Sequence, residues 1–147
     1  MAAIPADKLN DEPINDMRSA KELAVHSFAY LPVFTQAVLN GELKGEDMVE
    51  PGDEIKTVED LAKWCEKSWD TASQNFEKLT DEQLSAMVPT PFGQPFPGFM
   101  LVTIAYDEHI HHRGQLYTYL RALGVEPPFL WSFEESDAKF RPQEVPA

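Results

Sequence analysis

The stretch Met100–Gly124, reading MLVTIAYDEHIHHRGQLYTYLRALG, constrains this chain more than any other. Leu101, Ala105, Leu116, Tyr119, Leu120 and Leu123 recur at three- and four-residue intervals, the spacing of one buried helix face. The same stretch holds three of the four histidines, His109, His111 and His112. At about 100° per residue, His112 falls at the centre of the apolar stripe. Glu108 and His109 fall on its two edges, and His111 points well away. A carboxylate four residues before an imidazole sets two metal-ligand types about 5–6 Å apart on one helix face. One cation bridges such a span.

The apolar period returns twice upstream. Leu23, Tyr30, Phe34, Ala37 and Val38 predict a helix over residues 17–40, opened by a Ser19/Glu22 capping box and closed at Asn40-Gly41. Pro32 lies inside it and is expected to bend it. Leu61, Cys65, Ser68, Ala72, Phe76 and Leu79 predict a second helix over 57–79, opened by Thr57 and Asp60. Trp64 and Trp69 beside that face read as core or dimer packing. The histidine stretch itself predicts a third helix over 99–123. Thr80-Asp81-Glu82 starts a short helical turn, and Pro89–Gly98 is a looped connection that cannot be helical. Residues 1–16 read as irregular and Gly41–Lys56 as an acidic loop. The Pro-punctuated tail 125–147 is expected to dock on the helices through Phe129, Leu130 and Trp131. The reading is one all-α helical-bundle domain over 1–147, with no sheet beyond two short strands.

Composition removes several function classes. With 147 residues the chain can bury a real core. No segment approaches the ~20 apolar residues of a membrane span, and no basic start followed by an apolar run marks a signal peptide. Twenty-five acidic against twelve basic side chains give a formal charge of −13, which repels phosphate backbones and argues against nucleic acid. The single cysteine, Cys65, excludes an internal disulfide and fits a reducing cytoplasm. Its position in an apolar stripe reads as a packing thiol.

The run His111-His112-Arg113-Gly114-Gln115-Leu116, followed by Tyr119-Leu120-Arg121, Gly124 and Pro127, resembles the signature helix of the DinB-like superfamily, which includes the YfiT-type proteins. Glu22-Leu23-Ala24-Val25-His26 is similar to that family's other histidine-bearing helix. The resemblance covers most of residues 17–130. It implies a four-helix bundle, commonly dimeric, that holds a divalent metal with three histidines. Carried over position by position, His26 matches the first ligand and His112 the last, while the remaining position falls on Glu108. Three outcomes stay open: a site of two histidines and a carboxylate with open positions, a site in which His109 has taken over, and a site without metal. Ile4-Pro5-Ala6-Asp7-Lys8-Leu9 resembles the segment that ends the family's first helix, and the expectation from this resemblance is a chain lacking most of that helix. The apolar surface this exposes predicts a homodimer.

Some relatives implied by the resemblance are thiol-dependent S-transferases or isomerases. The expectation is therefore a divalent-metal-binding protein, a metal-dependent transferase- or hydrolase-like enzyme acting on a small molecule. The alternative is a non-catalytic stress-related or binding protein whose metal site is structural or vestigial. Imidazole with carboxylate suits zinc, nickel, iron and manganese alike. His26 alone reads as a packed or half-exposed residue. Arg113 reads as a partner for an acidic neighbour or a helix end, Gln115 as a residue that orients a ligand, and His111 as a surface or dimer-edge residue.

Overall fold

The first long helix starts where Ser19 leaves the extended region and caps it. The Ser19 Oγ accepts the Glu22 N–H at 3.2 Å, while the Ser19 N–H and Oγ–H both donate to Glu22 Oε2 at 2.8 Å. These donors hold the Glu22 carboxyl below its ordinary value, the backbone N–H most of all. α1 then runs Ala20–Asn40 and ends at Gly41, whose φ of 77° only glycine adopts freely and whose N–H reaches Ala37 O at 2.8 Å. Replacing Ser19 with alanine is expected to cost about 1 kcal/mol. It also flattens the acid dependence of stability. A lowered folded-state carboxyl stabilises above the ordinary carboxylate range, and that contribution is lost as pH falls through the lowered value. Urea unfolding at neutral and acid pH measures both effects.

The computed structural model describes residues 3–51 and 54–129. After α1 come α2 (Val58–Phe76), α3 (Asp81–Ser85), β1 (Met87–Val88), β2 (Phe96–Pro97) and α4 (Gly98–Ala122), with single 3-10 turns at Ala6–Lys8 and Gly45–Asp47. Thr57/Asp60 and Thr80/Gln83 capping boxes open α2 and α3. β1 and β2 pair antiparallel, Met87 opposite Pro97 and Val88 opposite Phe96, so the looped connection before α4 is pinned by a two-residue ladder. The all-α expectation holds, with the three long helices within a few residues of their predicted bounds. No helix among the described residues is long and apolar enough to cross a membrane.

α1 is the central helix. It packs against α2 on one side and α4 on the other, while α2 and α4 scarcely touch. One core cluster joins Leu23, Ala24, Leu61, Cys65, Leu116, Tyr119 and Leu120 to Ile4, Leu9 and Ile55. Residues 3–16 thus form no long element beyond the turn at Ala6–Lys8 but are anchored by the buried side chains of Ile4 and Leu9. The other cluster gathers Phe34, Ala37, Val38, Leu43, Ala72, Val88, Leu101 and Ala105. Cys65 is buried, and burial pushes its thiol up to about 12, as a packing residue requires.

Two expectations need correction. Phe76 was expected on the buried face of α2 but is 52% exposed. It closes that helix beside the cleft between α2 and α4, which it lines with Trp69, Val102 and Tyr106. Phe129 does not dock: it is 72% exposed, whereas Pro127 just before it is buried. The expectations for Leu130 and Trp131 fall outside the described residues.

Candidate metal centre

Facing turns of α1 and α4 build the site. His26, Glu108 and His112 each offer one ligand atom, and these atoms lie within 4.8 Å of one another. The His26 and His112 rings meet edge to face with centroids 4.5 Å apart. His112 is buried, as its place at the centre of the stripe predicts, and the Glu108 side chain is half exposed.

Hydrogen bonds outside the cluster fix which nitrogen each imidazole offers. Glu50 Oε1 lies 2.7 Å from His26 Nδ1 and also accepts the Tyr30 hydroxyl at 3.0 Å. Burial, and then the bond to Glu50, pushes the Tyr30 phenol up to about 12, so it remains a donor at neutral pH. With Nδ1–H given to Glu50, the His26 lone pair sits on Nε2. On the other imidazole, His112 Nδ1 donates to Gln115 Oε1 at 2.8 Å, which again leaves the lone pair on Nε2. Yet that nitrogen stands 3.1 Å from Glu108 Oε2. A lone pair and a carboxylate at that distance repel unless a proton or a cation stands between them. Two imidazole nitrogens and one carboxylate oxygen are an ordinary first-row divalent donor set, so the residues fit a metal.

His109 is turned elsewhere. Its Nδ1 donates to the Ser27 carbonyl at 3.0 Å, and the ring packs edge-on against Phe28 and near Trp69. Burial lowers its pKa, so the ring is neutral at neutral pH. It takes no part in the cluster. Gln115 has the orienting place expected of it, with Nε2 reaching His111 Nε2 at 3.1 Å. Arg113 makes no ion pair among the described residues. It lines a separate cavity of about 220 Å³ with Ser27, Phe28, His109 and Tyr117.

Glu50 and Tyr30 are the residues beside the candidate site that sequence reasoning missed. Tyr30 lies one turn after His26 on α1, a spacing that points to a neighbour on the same face. Glu50 comes from the aperiodic acidic loop, and nothing in its spacing marks it.

An all-α bundle that gathers two imidazoles and a carboxylate from neighbouring helices belongs to the class of helical scaffolds that build ligand sites in the bundle. The family model described as "DinB family" matches residues 1–142, and the chain belongs to the DinB family. It is 28% identical over 129 residues to the uncharacterised protein YjoA of Bacillus subtilis (strain 168), covering 86% of this chain and 81% of YjoA. The crystal structure of the DinB-like YjoA from Bacillus subtilis superposes with a TM-score of 0.71 at 26% identity, over 87% of this chain and 84% of that one. A putative member of the DinB family from Exiguobacterium sibiricum 255-15 superposes with a TM-score of 0.60 at 23% identity, over 88% and 82% of the two chains, and shows the shared fold.

Proposed function

We propose that this chain binds a divalent metal ion through His26 Nε2, Glu108 and His112 Nε2, and serves as a metal-dependent enzyme of the transferase or hydrolase type. The observation that carries the reading is the convergence of three ligand atoms within 4.8 Å. A bound divalent cation would lower the pKa of a water or thiol at its remaining positions. The protein's own part is to hold the ligands. Glu50 and Gln115 fix the two tautomers, and α1–α4 packing fixes the spacing. Half-exposed Glu108 leaves one side of the cluster open, which favours a reactive centre over a sealed structural one. A low-molecular-weight thiol is the co-substrate class we favour.

Elemental analysis of protein purified without an affinity tag tests the reading: about one divalent ion per chain is expected. Because imidazole must be deprotonated to bind, metal content is expected to fall as pH drops through the ordinary histidine range. Content that stays constant in folded protein well below that range excludes histidine ligation. Replacing Glu50 with alanine frees the His26 ring and is expected to weaken binding by roughly 10–100-fold. Chelator competition measures the change, and an unaltered affinity would show that Glu50 does not orient the ligand.

A further inference from the structure

The segment leading into α1 closes one side of the cluster and brings a cation there. Asp16 adopts a left-handed backbone, φ 61°, a conformation that aspartate tolerates better than most residues. Beyond it, Met17 and Arg18 form one wall of a cavity of about 290 Å³ whose other wall is His112, Gln115 and Tyr119 of α4. Tyr119 is 2% exposed, and its hydroxyl has no hydrogen-bond partner among the described residues. A buried hydroxyl without a partner is costly, and such a group in a native fold calls for a ligand or a water. Arg18 makes no ion pair or hydrogen bond among the described residues, in a chain whose formal charge is −13. Arg18 lines this cavity together with Tyr119, and its positive charge lowers that phenol against the effect of burial. Arg18 therefore stands in the same cavity as His112 and the Tyr119 hydroxyl, beside the cluster.

We propose that this cavity seats the carboxylate of a small monoanionic substrate, held by the Arg18 guanidinium and the Tyr119 hydroxyl, while a second donor atom of the same molecule points toward the ligand cluster at His112. The proposal rests on the metal reading and names the substrate class for that site. Arginine's planar fork matches a carboxylate in two-point geometry, and a tyrosine hydroxyl supplies a further donor. Asp16, which also lines the cavity, adds a negative charge that weighs more heavily against a dianion such as a phosphate ester than against a single carboxylate. Met17 and Leu23 give the cavity an apolar side for a short carbon chain.

The test uses the full chain loaded with cobalt(II) and titrated with mercaptopropionate or with its neutral analogue mercaptopropanol, following thiolate-to-cobalt absorbance. The acid is expected to bind roughly tenfold tighter, the scale of one charge-assisted hydrogen-bonded contact. Arg18→Gln, at an exposed position, is expected to erase that preference while leaving cobalt uptake intact. Tyr119→Phe keeps the ring in the core and is expected to reduce the preference several-fold. Equal affinity for the two thiols, or a preference that survives Arg18→Gln, overturns the proposal and leaves the metal reading standing. A folded chain that takes up no cobalt overturns both.

Discussion

Alanine at His112 is expected to abolish metal uptake, the largest single effect open to a side-chain change in this protein. His112 is the buried member of the triad, its Nε2 is held lone-pair outward by Gln115, and it is the residue that Glu108 faces at 3.1 Å. Losing a ligand of three costs more than the roughly 10–100-fold that an orienting residue contributes. Glu108→Ala is expected to weaken binding strongly, and Glu108→His to preserve or tighten it, since an imidazole can take the carboxylate's place in the donor set. His109→Ala is expected to leave stoichiometry unchanged, because its ring is tied to Ser27 and packed on Phe28. Were Glu108 only a surface charge partner of His112, its loss would cost at most about 1 kcal/mol of stability and no metal. Metal analysis of the four variants separates these cases. Full retention in Glu108→Ala with loss in His109→Ala would falsify the ligand set and move the third ligand to His109.

A large structural effect is expected from a single methyl group at Gly98. This residue opens α4, and its N–H donates to Ala86 O at 2.9 Å where the two-residue ladder feeds into the helix. A Cβ there would stand 2.4 Å from Gln83 O, 2.8 Å from Val38 Cγ1 and 3.1 Å from Leu84 Cα. Two of those atoms are backbone, so relief requires α3 and α4 to move apart rather than one side chain to turn. Gly98→Ala is expected to destabilise by about 1–3 kcal/mol or more, which at roughly 2–4 °C per kcal/mol is a clear drop in melting temperature for a chain of this size. Gly114, in mid-helix, has nothing within 4 Å of its Cβ position. Gly114→Ala is therefore expected to raise stability by up to about 1 kcal/mol. Thermal melts of the pair give opposite signs; equal shifts would mean that close approach at Gly98 is not what excludes a side chain.

The long helices were legible because each carries its own signal: an apolar stripe at helical spacing and, for α1 and α2, a capping pair at the N-terminus. His112 and Glu108 were legible for the same reason, since helical periodicity fixes where a side chain points. His109 was not separable from Glu108 by periodicity, because both lie on an edge of the stripe. The choice is made by α1, whose Ser27 carbonyl captures the His109 ring. Glu50 was hidden because a loop has no period to aim its side chains. Phe76 was misread because a stripe shows which residues could be buried, not whether a neighbour arrives to cover them; the cleft between α2 and α4 leaves it open. The ladder of Met87–Val88 with Phe96–Pro97 is too short to produce alternation.

The three candidate ligand residues divide unequally between two helices, one on α1 and two on α4, and among the described residues α1 is the only long helix with which α4 shares an extensive interface. A cation shared among them would act as a reversible weld across that one seam, tying residues from opposite ends of the sequence. Any ion that binds only the assembled seam adds its binding free energy to folding, by RT ln(1 + [M]/Kd). The melting temperature of this bundle would then rise with free metal concentration, making heat resistance a gauge of ion supply.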